Sequence, residues 1–168
     1  MNDCNSCPLG PQNKQRQLLL RFIQPGLAGL LDGSVATLAP VFAAAFATKN
    51  SWVAFTVGMA ASIGAGISMW IAEAVSDDGR VTGRGKPHIR GGICGLMTFL
   101  GGVGHTLPFL LHNFKTATAV AATMVVLELA LISWIRHRFM DVPLLYSALL
   151  VSASGALVLA VGILLGSS

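Results

Sequence analysis

The chain has 168 residues, of which 54% are hydrophobic and only 11% are charged. This composition excludes an ordinary soluble domain, in which about a quarter of the residues are charged. The formal net charge of +4 comes from basic residues beside the apolar runs, so it gives no reason to expect a nucleic-acid partner. The sequence predicts an all-α integral membrane protein that contacts the lipid bilayer.

Five apolar segments are long enough to cross a bilayer, and together they form a transmembrane domain predicted at residues 19–166. They are Leu19–Thr48, Trp52–Val75, Gly91–Leu111, Thr116–Ile135 and Leu144–Leu165. The polar start of the chain does not resemble a secretory signal, so we expect the first helix to be retained. Residues 1–18 are predicted to form a tail, with a loop-like stretch at residues 10–17.

The basic residues predict the orientation, because lysine and arginine accumulate on the cytoplasmic side of membrane proteins. Two of them, Lys49 and Lys115, fall on one side of the predicted membrane. The others fall on the opposite side: Lys14, Arg16, Arg21, Arg80, Arg84, Lys86, Arg90, Arg136 and Arg138. The amino terminus is therefore predicted in the cytoplasm and the carboxyl terminus, after five crossings, outside.

The predicted cytoplasmic tail contains a CxxC motif formed by Cys4 and Cys7. One such pair supplies two of the four ligands of a tetrahedral zinc or iron site. A twofold dimer can bring two tails together, and the alternative is that both cysteines are incidental. The sequence leaves both interpretations open.

Asp32 lies in the inner half of the first predicted helix. A lone ionised Asp near the centre of a bilayer costs roughly 2.5–3.5 kcal/mol, so it is expected to face a helix bundle or a wet cavity and to be functional. Gly29 and Gly33 bracket it with a close-packing motif. Pro25 and Pro40 predict local kinks on either side of it.

The second helix places Met69 and Glu73 four residues apart, which puts both on one face. A thioether together with a carboxylate suits a softer divalent transition ion, whereas Mg²⁺ and Ca²⁺ prefer oxygen ligands. The alternative is a core methionine and a solvated glutamate. In the connector that follows, Asp77, Asp78 and His88 either collect metal at the cytoplasmic mouth or are ordinary solvated residues.

Two further ionisable residues fall inside later helices. His105, in the third helix, can ligate a metal, relay protons or hydrogen-bond a neighbouring helix. Glu128, near the middle of the fourth, is either a proton-coupling group or a neutral side chain bonded across helices. No Walker loop, dinucleotide glycine signature, HExxH or GxSxG motif occurs, so no enzymatic activity is predicted.

Several motifs resemble the vacuolar iron transporter family. They are Asp32-Gly33 before an Ala-rich helix, Gly66–Met69 followed by Glu73, and Pro108-Phe109 late in the third helix. Three longer stretches resemble the membrane part of bacterial membrane-bound ferritins, which export iron. These are Ser76–Gly79, Gly104–Phe109 and Trp134–Asp141.

The resemblance implies a five-helix protomer that forms a homodimer, with a metal path at the dimer interface lined by the first two helices. It implies that Fe²⁺ or Mn²⁺ is the transported substrate, with no tightly bound cofactor. The ion would leave the cytosol across a bacterial inner membrane in exchange for protons. By position, Asp32 and Met69 match residues of the family's metal path, and Glu73 matches a Glu common in microbial relatives.

The chain departs from these families at several positions. Arg21 and Pro25 stand where plant-like members carry carboxylates, and Ala61 stands where they carry a Glu. Neither their Glu-rich insert nor the ferritin-like domain of the bacterial proteins is present in this sequence. The alternative function is therefore a membrane anchor or assembly partner of a separate ferritin-like iron-storage protein.

Overall fold

A computed structural model describes residues 11–79 and 82–167, and every regular element in these ranges is helical. The α-helices are α1 Pro11–Leu18, α2 Gln24–Ala36, α3 Leu38–Thr48, α4 Ser51–Ser76, α5 Pro87–Thr106, α6 Phe114–Met140 and α7 Leu144–Ser167. A π-helical turn, Leu19–Ile23, joins α1 to α2, and a 3₁₀ turn, Leu107–Leu110, follows α5. Cys4 and Cys7 lie outside the described residues.

Five helical segments of the described chain are long and apolar enough to cross a membrane. They are Gln15–Thr48, Ser51–Ser76, Pro87–Leu110, Phe114–Met140 and Leu144–Ser167. The prediction of five membrane helices is thus confirmed, and the many exposed apolar side chains fit contact with lipid. The chain is a multi-pass, all-helical membrane protein.

The first span begins before the predicted boundary. The stretch at residues 10–17 was expected to be loop-like, and this prediction is wrong for residues 11–17 because Pro11–Leu18 is helical. The segment contains glutamine, lysine and arginine, which are good helix formers, and its proline stands in the first turn, where no backbone N–H is needed. The helix of the first span therefore extends further towards the amino terminus than its apolar residues do.

Two prolines interrupt the first span, as predicted. The π-helical turn ends at Ile23, two residues before Pro25, and α2 ends at Ala36, four residues before Pro40. A proline cannot donate a hydrogen bond to the carbonyl four residues earlier, and its ring crowds that carbonyl. Thr37, with φ −86° and ψ −14°, connects the two halves of the span.

Helix α5 lies between α2 and α4 and packs extensively against both. A Cβ on Gly29 or Gly33 would overlap the backbone carbonyl of Cys94 or Thr98, so α2 and α5 touch backbone to backbone. On its other side, a Cβ on Gly95 of α5 would overlap the backbone carbonyl of Gly66 in α4. The close-packing role predicted for Gly29 and Gly33 is confirmed, and their partner is α5 of the same chain.

A second group of helices forms the rest of the bundle. Gly162 and Gly166 of α7 pack against the backbone of α3 at Ala39 and Ala43. Helix α6 closes this group by packing against α7, with Leu129 lying on Gly155. The buried apolar side chains of this region include Leu38, Val41, Phe42, Phe109, Ile132 and Val151.

One end of the bundle is basic and is called the basic end below. It carries Arg21, the connector between α4 and α5 with Arg84, and the α6–α7 connector that follows Arg138. The side chain of Arg21 packs against Gly85, so the first span and the α4–α5 connector meet there. At the far end, Asn50 and Asn113 cap the amino termini of α4 and α6.

We expect Gly33→Ala to lower the free energy of unfolding by about 1–3 kcal/mol, the usual cost of forcing an extra carbon into a packed contact. The neighbouring atoms belong to the backbone of Thr98, which cannot rotate away. Gly92→Ala is the matched control, because Gly92 also lies within a helix and a Cβ there meets nothing within 4 Å. This variant should be neutral or more stable by at most about 1 kcal/mol, since Ala favours the helix.

Unfolding of both variants in mixed detergent micelles, followed by circular dichroism, measures this difference. Equal stability of the two variants would show that α2 and α5 are not in backbone contact.

Candidate metal and proton sites

Asp32 lies on α2, near the midpoint of the span Gln15–Thr48, and its side chain is half-buried. It stands beside the face that Gly29 and Gly33 press against α5, so the position of its backbone is fixed by that contact. Within the described ranges no group donates a hydrogen bond to its carboxylate or forms an ion pair with it. Among the described residues, the Asp32 carboxylate therefore has no counter-charge, although it lies near the middle of a membrane span.

Met69 and Glu73 occupy one face of α4, as their spacing predicted, and both are half-buried. Glu73 is held by two arginines. Arg84 Nη2 donates to Glu73 Oε1 over 2.9 Å, and Arg90 Nε donates to the same oxygen. A metal ion could use the Glu73 carboxylate only by competing with these two guanidinium groups.

Arg90 is the centre of this network and is only 1% exposed. Its Nη2 donates to the backbone carbonyls of Glu73 and Asp77, over 3.1 and 2.9 Å. Its Nη1 lies 3.7 Å from Asp77 Oδ2. One buried side chain therefore ties the carboxyl end of α4 to the start of α5 and fixes the connector at the basic end.

The Asp77 carboxylate is bonded within the α4–α5 connector and is not a free ligand at the cytoplasmic entrance. The Thr82 hydroxyl and the Gly79 N–H, the latter at 2.8 Å, both donate to its carboxylate. These bonds, with smaller contributions from Arg90 and Arg84, hold the pKa of Asp77 below its usual value. The neighbouring Asp78 is exposed.

The lowered pKa of Asp77 predicts acid sensitivity of the connector. The folded chain binds this proton less tightly than the unfolded chain, so the bonds stabilise the connector fully above about pH 4, and the stabilisation is lost as pH falls through the lowered folded pKa. We expect the Gly79 amide to lose protection from hydrogen exchange in that range. Asp77→Asn, compared at the same pH, should remove this dependence, and an unchanged pH profile in the variant would contradict the assignment.

His105 and Glu128 meet in the interior of the bundle. His105 Nδ1 lies 3.2 Å from Glu128 Oε2, and His105 Nε2 lies 2.9 Å from the hydroxyl of Thr37. That hydroxyl donates in turn to the carbonyl of Gly33 over 2.7 Å. Gly104 makes room for the carboxylate, because a Cβ at that position would overlap Glu128 Oε1.

Both ring nitrogens of His105 are thus engaged by protein groups, and neither is open to a metal ion in this arrangement. No three His, Cys, Asp or Glu side chains of residues 11–79 and 82–167 come together as a metal site within one chain. Asp32, Met69 and Glu73 are distributed over α2 and α4, with α5 packed between these helices.

Sequence reasoning missed three residues of these sites. Arg84 and Arg90 were interpreted only as markers of orientation, although a short connector between antiparallel helices brings Arg90 close to Glu73. Thr37 gave no signal, because its partner His105 is 68 residues away in the chain. The contact depends on the packing of α5 against the first span.

A comparison of the chain with models of protein families, with curated proteins and with solved structures found no match in any of the three.

Proposed function

We propose that the protein exports a divalent transition-metal ion, Fe²⁺ or Mn²⁺, by proton antiport, in the manner of the vacuolar iron transporters that it resembles. The observation that carries the proposal is Asp32, a half-buried carboxylate near the midpoint of a membrane span that has no partner among the described residues. An ionised group in such a place is costly and is characteristic of an ion pathway. A transported cation would supply the missing counter-charge.

Met69 supports a transition metal over Mg²⁺ or Ca²⁺. Its thioether is a soft ligand that adds little for a hard cation but suits Fe²⁺ or Mn²⁺ better. It is half-buried and lies one helical turn before Glu73 towards the interior of the membrane. Asp32 and Met69 would bind the ion, and Glu73 would receive it at the basic end when the arginines release the carboxylate.

A homodimer would complete the ligand set. Along α4, four small residues at a spacing of four are all exposed in the single chain: Ala60, Gly64, Ser68 and Ala72. Such a row lets two membrane helices approach closely, and it runs beside Met69. Two copies facing each other there would contribute two thioethers from Met69 to one path.

The orientation of the protein follows from the charge asymmetry, and the export direction is taken from the family resemblance. The basic end would face the cytoplasm, with the amino terminus inside and the carboxyl terminus outside. The resemblance to membrane-bound ferritins favours a bacterial inner membrane. Protons entering from the outer side would weaken the hold of the carboxylates on the ion, because metal ligands must be deprotonated to bind.

The test is Fe²⁺ flux into liposomes that contain the purified protein, measured without oxygen and with an imposed pH gradient. We expect flux that depends on the gradient, and Mn²⁺ should compete with it. Folded, dimeric protein that moves neither ion would overturn the proposal. It would favour the alternative, a membrane partner of a separate ferritin-like protein, which co-purification with such a protein would then test.

A further inference from the structure

We infer that Thr37, His105 and Glu128 form a one-proton site inside the membrane span, separate from Asp32, and that this site couples protons to the movement of metal. The coupling role rests on the proposed function, whereas the proton site itself does not. The three side chains form a continuous chain of hydrogen bonds that runs from Glu128 through His105 and Thr37 to the backbone carbonyl of Gly33. Gly33 is the residue after Asp32.

The hydrogen bonds fix where the protons are. A carbonyl oxygen carries no proton, so the 2.7 Å bond between Thr37 and Gly33 uses the only proton of the Thr37 hydroxyl. Thr37 can then only accept from His105, and His105 Nε2 must carry a proton. The imidazole is therefore held with Nε2 protonated, whatever the state of Nδ1.

The remaining contact, between His105 Nδ1 and Glu128 Oε2, holds one more proton. If the proton is on the carboxyl, Glu128 donates to a neutral imidazole; if it is on the ring, an imidazolium donates to a carboxylate. Both arrangements have no net charge, which the membrane interior favours. Removal of this proton leaves two lone pairs facing each other and one negative charge, so the contact between α5 and α6 loses its hydrogen bond.

Glu128 is the route by which this proton exchanges. The His105 side chain is 0% exposed, whereas that of Glu128 is 16% exposed. Gly104 leaves the carboxylate space beside the ring, because no side chain separates α5 from α6 at this point. A proton carrier can therefore reach the carboxylate without opening the bundle around His105.

The hydrogen bonds connect the proton site to the part of α2 that carries Asp32. Thr37 connects α2 to α3, so the chain of hydrogen bonds passes through the interruption in the first span before it ends at the Gly33 carbonyl. Asp32 lies five residues before Thr37, about 8 Å along a helix axis. A divalent cation at Asp32 would repel the proton of the pair, and its departure would let the proton return. This is the exchange that an antiporter needs.

The other charged and titratable groups on the helices around the pair lie on other turns. Helix α3 has none within Leu38–Thr48. The groups on the remaining elements are Asp32 on α2, Glu73 on α4, His88, Arg90 and Cys94 on α5, Lys115, Arg136, His137 and Arg138 on α6, and Tyr146 on α7. Glu73 is already paired with two arginines, so Asp32 and its cation are the groups placed to influence the pair.

The proton placement is tested by nitrogen-15 NMR of protein labelled at histidine, with the His105 signals identified by their absence in His105→Gln. We expect Nε2 of His105 to be protonated at every pH at which the protein is folded. Thr37→Ser should leave the Nε2 signal unchanged, whereas Thr37→Val removes the acceptor of the Nε2 proton and should shift that signal. If Nε2 of His105 carries no proton in the parent protein, the inferred proton site is wrong.

The coupling role is tested by Glu128→Gln in the liposome assay. The Gln amide still donates to Nδ1, so the fold should survive, but the exchangeable proton is gone. We expect Fe²⁺ flux down its own gradient to continue and to become the same with and without a pH gradient. Retained gradient dependence would overturn the coupling role, whereas absence of flux in the parent protein would remove the proposed function and leave the NMR result to decide the proton site.

Discussion

Asp32→Asn is expected to reduce Fe²⁺ flux to the level of protein-free liposomes. The variant keeps the size of the side chain and removes its charge, which is the only negative charge on α2. Folding should not suffer, because no described group donates to or pairs with this carboxylate. Removal of an unpaired ionised group from a membrane span should even favour the folded state.

The matched control is Asp141→Asn. Asp141 is exposed at the carboxyl end of α6, with a φ of 53°, a backbone conformation that Asn adopts readily. Its flux should equal that of the parent protein. Parental flux in Asp32→Asn would exclude Asp32 from the metal path, whereas equal loss in both variants would point to a general effect of acidic residues on the assay.

Arg90→Gln is expected to destabilise the protein by about 3–5 kcal/mol, the usual effect of removing one partner of a buried ion pair. Arg90 is 1% exposed and Glu73 only 16% exposed. The change removes the guanidinium that pairs with Glu73 and donates to the carbonyls of Glu73 and Asp77. The Glu73 carboxylate and the carbonyls of Glu73 and Asp77 would then lose the side chain that donates most of their hydrogen bonds.

Arg84→Gln is the control, since Arg84 bonds the same oxygen of Glu73 but is 24% exposed. An exposed pair contributes at most about 1 kcal/mol, so this variant should unfold close to the parent protein in mixed micelles. Similar losses in both variants would mean that the two arginines share the role equally and that burial of Arg90 adds nothing.

The membrane spans could be predicted because length and hydropathy are local properties of the chain. The same holds for the interruptions at Pro25 and Pro40, which follow from the missing N–H of proline. The start of the first span was missed, because residues 11–17 are polar and polarity gives no signal that separates a helix from a loop.

The environment of each candidate residue depends on contacts between distant parts of the chain. Gly29 and Gly33 predicted that some helix would approach α2, but not that it would be α5 of the same chain. Glu73 was considered as a free carboxylate, whereas Arg90, 17 residues later, occupies it. Similarly, His105 and Glu128 were each identified as unusual, but nothing local to either residue indicates that they share a hydrogen bond.

Glycine contacts hold two groups of helices, here called the two bodies, tightly together. Helices α2, α4 and α5 touch through glycines with no side chain between their backbones, and α3 and α7 touch in the same way. Contacts of this kind have no compressible layer, so the helices within each body cannot slide without clashing. A rocking motion between the bodies would bend the first span where it passes from one to the other. Thr37 would be the pivot of such a motion, which would strain or relax its hydrogen bond to His105.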